Sequence, residues 1–349
     1  MAWVARRWAK VILVTLTVLV ALAGAGFGAA VLFAHHYEGE VGREDMLGQA
    51  SKLPKIKDPQ EYVIVTGGTK PDITDKSGVG TNYLILGVDT RASWTQNMSR
   101  SDTIMLVHVD QDEQHASIVS FPRDSYVYIP PVPGHWSGGK TKINAAYAWG
   151  GAPLVVQVIS HLTGLAVDHV VRVDFAAIRK ITDIVGGVDV TVSKRVRDGR
   201  TGYVFPAGVN HLDGKHAEIY VRQRYGLAQG DFDRVKRQQQ YLHALLDKVL
   251  SMGVLSNPMR MSSLLSEAAK SLVVDANLNL TATARELSGL RTDDLGFTTI
   301  PSTGFVHSAA GTANRLDTPG CRTLFLALRT DTMTTYFRTH KSYRAVGGA

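Results

Sequence analysis

Three runs decide the fold: NYLILGVD (residues 82–89), DTIMLVHVD (102–110) and HASIVSF (115–121). Each is short, apolar and rich in β-branched residues, and polar turns separate them, which is the pattern of strands buried on both faces. Helical spacing follows in KINAAYAWGG (142–151) and in APLVVQVISHLTG (152–164), the latter with Pro153 in its first turn. In DFAAIRKITDIVGG (174–187), Phe175, Ile178, Ile181 and Val185 recur three and four residues apart, while VDVTV (188–192) returns to strand. Asp231 is placed to cap a long helix reaching about Ser251, with Val235, Leu242, Leu245, Leu246 and Val249 as its apolar stripe. Beyond residue 257 the chain reads as two more helices and a strand, LGFTTIP (295–301). The fold expected is α/β, a mixed central β-sheet flanked by helices on both faces.

The chain has 349 residues, 44% hydrophobic and 20% charged, with a formal net charge of +7. That is ample for a sizeable core, and the positive balance points to an anionic partner: nucleic acid, phospholipid or a phosphate-bearing substrate. Cys321 is the single cysteine, which excludes an internal disulfide and a Cys-based zinc site, and no H-E-x-x-H spacing occurs.

The run VILVTLTVLVALAGAGFGAAVLF (11–33) carries no charge. At about 1.5 Å per residue it reaches across a hydrocarbon core of about 30 Å, so one N-terminal transmembrane helix is expected to precede the fold. Arg6, Arg7 and Lys10 stand before it and His35, His36, Glu38 and Glu40 after it, so the positive-inside bias keeps residues 1–10 cytoplasmic and the remainder outside. Ala23-Gly24-Ala25 offers the competing reading of a signal-peptide cleavage site, but cutting there leaves an apolar remnant through Phe33. Either way the folded part is extracytoplasmic, which disfavours nucleic acid as partner. Residues 34–80 are polar and read as a linker, residues 81–305 as the functional domain, and residues 306–349 as a C-terminal tail or accessory segment.

Asp89 ends one expected strand and Asp102 opens the next. Carboxylates at strand ends can hold a hard cation, and they also cap turns. Arginine is more telling in VRQRYGLAQGDFDRVKRQQQ (221–240). Arg222 and Arg224 share a face if the backbone there is extended, and Arg234, Arg237 and Gln238 share one helical face. Arg234 falls in a first helical turn, where the dipole already favours an anion, so a bound phosphate explains the cations there. A surface paired with Asp231 and Asp233 also fits the charge pattern. GHWSGGKT (134–141) matches the phosphate-binding pattern G-x-x-x-x-G-K-[ST], but YIPPVPG (128–134) before it cannot be a central strand, so a P-loop is rejected.

Taken in order, LILGVDTR, RSDT, SFPRDSYVYIP, KINAAYAWGG, ITDIVGGVDVTV, HLDGKHAEIYVRQR and DFDRVKRQ, spread over about residues 83–250, resemble the LytR-CpsA-Psr family of cell-wall ligases. The resemblance implies a metal-dependent phosphotransferase. Its donor is a glycopolymer linked through pyrophosphate to a polyprenyl lipid, and its acceptor a peptidoglycan hydroxyl, usually the muramic acid 6-OH. Position by position, it makes Asp89 and Asp102 the holders of Mg²⁺, or Mn²⁺ in its place, and Arg100, Arg123, Arg222, Arg224 and Arg234 the pyrophosphate ligands. Lys142 and Gln238 complete the head-group pocket, and Asp89, Asp102, Arg222 and Arg224 form the catalytic set. The helical runs at 153–165 and 175–185 would wall a lipid groove, although core packing explains them equally. The proton acceptor stays open between Asp89, Asp102 and water. A lipid-binding protein or a lipid pyrophosphatase is the alternative. Two departures, Trp94 in ASWTQNM (92–98) and Glu218 where an apolar residue is common, are expected to leave the charged positions untouched.

Overall fold

The structure is a computed structural model and describes residues 39–53, 80–88, 101–174, 176–223, 227, 231–251, 263, 264, 266, 267, 269–287, 290 and 294–340. β1 (Gly42–Glu44) and α1 (Met46–Lys52) precede the three strands read from sequence, β2 (Thr81–Val88), β3 (Ser101–Val109) and β4 (Ala116–Phe121). The hairpin β5 (Tyr126–Ile129) and β6 (Gly139–Lys142) leads into α2 (Asn144–Thr163), β7 (His169–Asp174) and α3 (Ala176–Ile184). β8 (Val188–Val192), β9 (Val196–Arg197), β10 (Val204–Phe205) and β11 (Gly208–Leu212) form two small antiparallel pairs, β8 with β11 and β9 with β10. There follow α4 (Gly214–Arg222), α5 (Asp231–Ser251), β12 (Leu272–Asp275), α6 (Leu280–Leu287) and β13 (Leu295–Thr299). The hairpin β14 (Ser302–Ser308) and β15 (Gly311–Leu316) and helices α7 (Thr318–Arg329) and α8 (Met333–Thr339) complete the order.

Seven strands make one mixed sheet in the order β1-β12-β7-β2-β3-β4-β13. β2 lies in the middle, parallel to β7 and antiparallel to β3. Successive side chains of a strand point to opposite faces, and here each face has its own core. Tyr83 and Ile85 of β2, with Met105 and Val107 of β3, pack under α3, α4, α5 and α6. Leu84, Leu86 and Val88, with Ile104 and Leu106, pack under α1, α2, α7 and α8. The unbroken apolar runs of the sequence are thus strands with helices on both faces, as expected.

The two helical runs at 142–164 are one element, α2, bent at Gly151, whose φ of +62° lies in the left-handed region that glycine tolerates without strain. VDVTV is a strand, but it pairs with β11 outside the main sheet. α5 begins at Asp231, so that residue opens the helix instead of capping it from outside, and Arg234 remains in the first turn.

The expected spanning segment at 11–33 lies outside the described residues, and among the described residues no helix is long and apolar enough to cross a membrane. The supposed linker is partly structured: β1 pairs in parallel with β12 at the sheet edge, and Met46 of α1 is fully buried. Of the expected C-terminal tail or accessory segment, residues 306–340 are structured and contribute to the core. Cys321, Leu324, Phe325 and Leu328 of α7 and Met333 and Tyr336 of α8 join the same apolar cluster as β2 and α2, and the Phe325 ring stacks 6.3 Å from Phe121. β12 escaped the reading because it is four residues long and its partners come from distant parts of the chain.

If α7 belongs to this core, Phe325→Ala should lower stability by about 3–5 kcal/mol in urea unfolding; a change within experimental error contradicts the packing. Burial pushes the Cys321 thiol up to about 12, so at pH 8 it stays protonated and enclosed. Iodoacetamide should leave it intact in the native protein and label it in urea, and rapid labelling without urea would show that α7 is not docked.

Candidate functional site

Backbone registers bring several strand ends to one edge of the sheet. β2 ends beside the start of β3, with Val88 opposite Ser101, and β7 ends beside β2, with Asp174 opposite Val88. β4 leaves the sheet where β3 enters, Phe121 opposite Ile104, and β13 ends beside it, Thr299 opposite Ser120. The C-terminal ends of β2, β4, β7 and β13 therefore share an edge with the N-terminal end of β3, the side on which open α/β sheets place ligands. Asp89, Arg100 and Arg224 lie outside the described residues, as does Trp94, and Asp102 is described by its backbone alone. Asp110, Asp112 and His115, which have ligand spacing, sit at the β3–β4 turn, the other end of the sheet.

Just past β4 the chain turns through Arg123 and Asp124, both buried. Asp124 Oδ2 stands 3.7 Å from Arg123 Nε, and its Oδ1 stands 3.3 Å from Lys142 Nζ at the end of β6. Backbone bonds fix this turn from two sides: Asn144 N–H at the start of α2 donates to the Arg123 carbonyl, and Asn314 N–H of β15 donates to the Asp124 carbonyl. Lys140 and Thr141 of the P-loop-like run lie on β6, paired with Tyr128 and Val127 of β5. That is a hairpin edge and not the strand-to-helix loop that cradles a nucleotide.

The second group of cations comes from α4 and α5. Arg222 is the last residue of α4, so the extended backbone that would have set it on a face with Arg224 begins only after it. One helical turn earlier, Glu218 accepts from Arg222 NH1 at 2.6 Å, and its other carboxylate oxygen accepts from Arg179 Nε of α3. Glu218 therefore contacts a charged position directly, contrary to the expectation from sequence. On α5, Arg234 is 1% exposed and Gln238 is buried one turn on, with its Nε2 lacking a hydrogen-bond partner among the described residues. Arg237 donates to Gln223 Oε1 and lies 4.5 Å from the Tyr220 ring and 5.4 Å from the Phe205 ring. Burial pulls the Arg237 guanidinium below its ordinary pKa and pushes the Tyr220 phenol up to about 12.

The two groups are joined through α5. Gln239 Nε2 donates to Ser120 Oγ at 3.1 Å and to the Thr298 carbonyl at 3.2 Å, which seats the helix on the ends of β4 and β13, three residues from Arg123. Arg237, two positions before Gln239, ties the same helix to Gln223 beside Arg222. Arg123 and Lys142 thus meet on Asp124, while Arg222, Arg234 and Gln238 belong to the α4–α5 side. Sequence reasoning missed Asp124 and the pairing of Glu218 with Arg222. Asp124 follows Arg123 directly, and Glu218 stands at i−4 from Arg222, a spacing that signals a pair once the stretch is read as helix.

The helical runs assigned to a lipid groove do not share one. Val155, Val158 and Ile159 of α2 face the core on one side of the sheet, and Ile178 and Ile181 of α3 face the core on the other. A seven-stranded sheet lies between them.

Comparison with known proteins bears on this arrangement. The chain is 32% identical over 265 residues to the cell wall biosynthesis protein LcpA of Corynebacterium glutamicum, covering 64% of this chain and 50% of LcpA. It is 32% identical over 189 residues to the polyisoprenyl-teichoic acid–peptidoglycan teichoic acid transferase TagU of Enterococcus faecalis, covering 54% of this chain and 60% of TagU. The alignments thus span about half to three fifths of these relatives' length. Among solved structures, Bacillus subtilis TagV superposes with a TM-score of 0.57 at 26% identity, over 72% of this chain and 97% of that one. The LytR_cpsA_psr family model matches residues 49–319, extending past the expected 81–305 at both ends, and the chain belongs to that family.

Proposed function

We propose that this chain transfers a glycopolymer from a polyprenyl-pyrophosphate-linked donor to a peptidoglycan hydroxyl, forming a phosphodiester in cell-wall assembly. The observation that carries this reading is the burial of Arg123, Arg222, Arg234 and Arg237 around the sheet end toward which Asp89 and Asp102 lead. Asp124 and Glu218 offset part of the cost of burying Arg123 and Arg222, and a diphosphate offers the bidentate geometry that the remaining guanidinium donors match. Membership of a family with a relative named as a teichoic acid transferase supports the choice of substrate.

In this reading Arg123 and Lys142 hold the donor phosphates from the β4 side, and Arg222, Arg224 and Arg234 hold them from the α4–α5 side, with Arg100 and Gln238 completing the pocket. The acceptor hydroxyl attacks the phosphorus that bears the sugar, a P–O bond to that phosphorus breaks, and polyprenyl phosphate leaves. The negative charge that develops on the phosphoryl oxygens is what the guanidiniums stabilise more strongly in the transition state than in the ground state. Asp89 and Asp102 would hold Mg²⁺, or Mn²⁺ in its place, which supplies further positive charge on the phosphates when bound. Asp124 and Glu218 already serve cations, which leaves Asp89 or Asp102, or water, to receive the acceptor proton. Residues 11–33 fit this reading as a single-pass anchor, with residues 1–10 cytoplasmic and the domain on the outer face, where donor and peptidoglycan meet.

Arg222→Ala and Arg222→Lys should each lower transfer from a lipid-diphosphate-linked disaccharide to peptidoglycan by about 10²-fold or more, with the circular dichroism spectrum unchanged. Lysine fails because a point charge does not replace a planar fork. Transfer at the parental rate by folded Arg222→Ala protein would overturn the reading. EDTA should abolish transfer and added Mg²⁺ restore it, whereas full activity after exhaustive chelation would remove the metal from the account.

A further inference from the structure

Glu218 is a buried carboxylate wedged between two arginines of different helices. Its side chain is 8% exposed and that of Arg222, four residues on, is 7% exposed, and the two are joined at 2.6 Å. The second oxygen is taken by Arg179 of α3, whose side chain is 57% exposed. Gly214, the first residue of α4, makes this junction possible. A side chain there would collide with the Arg179 carbonyl, so glycine lets α4 lie close on α3, and the Gly214 N–H donates to Asp183 Oδ1 at 2.7 Å. The carboxylate is therefore fixed at both oxygens by groups on two helices and cannot swing with Arg222.

We propose that Glu218 is a positioning residue for the transfer reaction, holding the Arg222 guanidinium in the plane from which it grips the donor diphosphate, with Arg179 as the strut that keeps the carboxylate in place. This rests on the reading of Arg222 given above. The physical basis is preorganisation. A long side chain at a helix end samples several rotamers, and few of them aim its fork at the charge that develops on the phosphoryl oxygens in the transition state. Glu218 removes that freedom in advance and offsets the cost of burying the cation, while a guanidinium held through one NH group keeps its planar fork in a fixed orientation. Arg179, at the solvent edge, adds restraint to the carboxylate without entering the pocket.

The test uses the full-length chain, a lipid-diphosphate-linked disaccharide as donor and peptidoglycan as acceptor. Glu218→Leu keeps the volume and the burial, so it separates positioning from folding, which thermal melting checks. Its kcat should fall about tenfold, with the KM for the donor changed by less than about threefold, because misaimed charge stabilisation weakens the transition state more than the ground state. Glu218→Gln retains an acceptor oxygen for Arg222 and should recover most of the lost kcat. Arg179→Ala should show a smaller loss, about threefold. Folded Glu218→Leu protein with parental kcat and KM, beside an inactive Arg222→Ala, overturns this inference and leaves the proposed function standing. An active Arg222→Ala would overturn the proposed function itself. A Glu218→Gln variant no better than Glu218→Leu would assign the effect to lost charge and not to orientation, which also contradicts the proposal.

Discussion

Charge compensation of guanidiniums buried at one end of a sheet is the constraint on which the rest of the structure turns. Arg123, Arg222, Arg234 and Arg237 are each less than a tenth exposed. Taking such groups from water costs several kcal/mol apiece, and the protein meets part of that cost itself, through Asp124 for Arg123 and Lys142 and through Glu218 for Arg222 and Arg179. For Arg237 the compensation is softer, from the faces of Tyr220 and Phe205 and from the Gln223 amide. A site so arranged has its donors oriented before a ligand arrives, which is what electrostatic catalysis of phosphoryl transfer requires.

The fold supplies this arrangement by division of labour. A sheet packed on both faces is rigid, and its strand ends hold the turn after β4 in place. Helices α4 and α5 bring the remaining cations from one face, and Gln239 pins α5 to Ser120 and Thr298 at the sheet's end. The opposite face carries the β5–β6 hairpin that brings Lys142 to Asp124, and its helices α7 and α8 complete the second core. The β14–β15 hairpin reaches across to the site through the bond from Asn314 N–H to the Asp124 carbonyl, so a segment late in the chain steadies the turn that carries Arg123.

Much of the sheet was legible in the sequence because β2, β3 and β4 are runs of apolar residues buried on both faces, a signal that needs no knowledge of partners. What escaped was held by distant contacts. β1 and β12 are three and four residues long and pair with each other across more than two hundred positions. α7 carries five buried core residues, Cys321, Leu324, Phe325, Ala327 and Leu328, and its place is set by the cluster it joins, which draws on distant parts of the chain. Charge pattern pointed to Arg222, Arg234 and Gln238, and the resemblance added Arg123 and Lys142, but the carboxylates that pair with Arg123, Lys142 and Arg222 were not read from the sequence. Glu218 stands out in the sequence as a departure, but its pairing with Arg222 follows only once the stretch is seen to be helical. Asp124 was hidden because its role depends on Lys142, which arrives by way of a hairpin.

The central claim is that cations from β4, β6, α4 and α5 converge on one diphosphate. It is tested most directly by a crystal structure of the protein with geranylgeranyl diphosphate and Mg²⁺. The account predicts phosphate oxygens within about 3 Å of the guanidiniums of both Arg123 and Arg222. A diphosphate bound away from that sheet end, or one touching neither arginine, would contradict it.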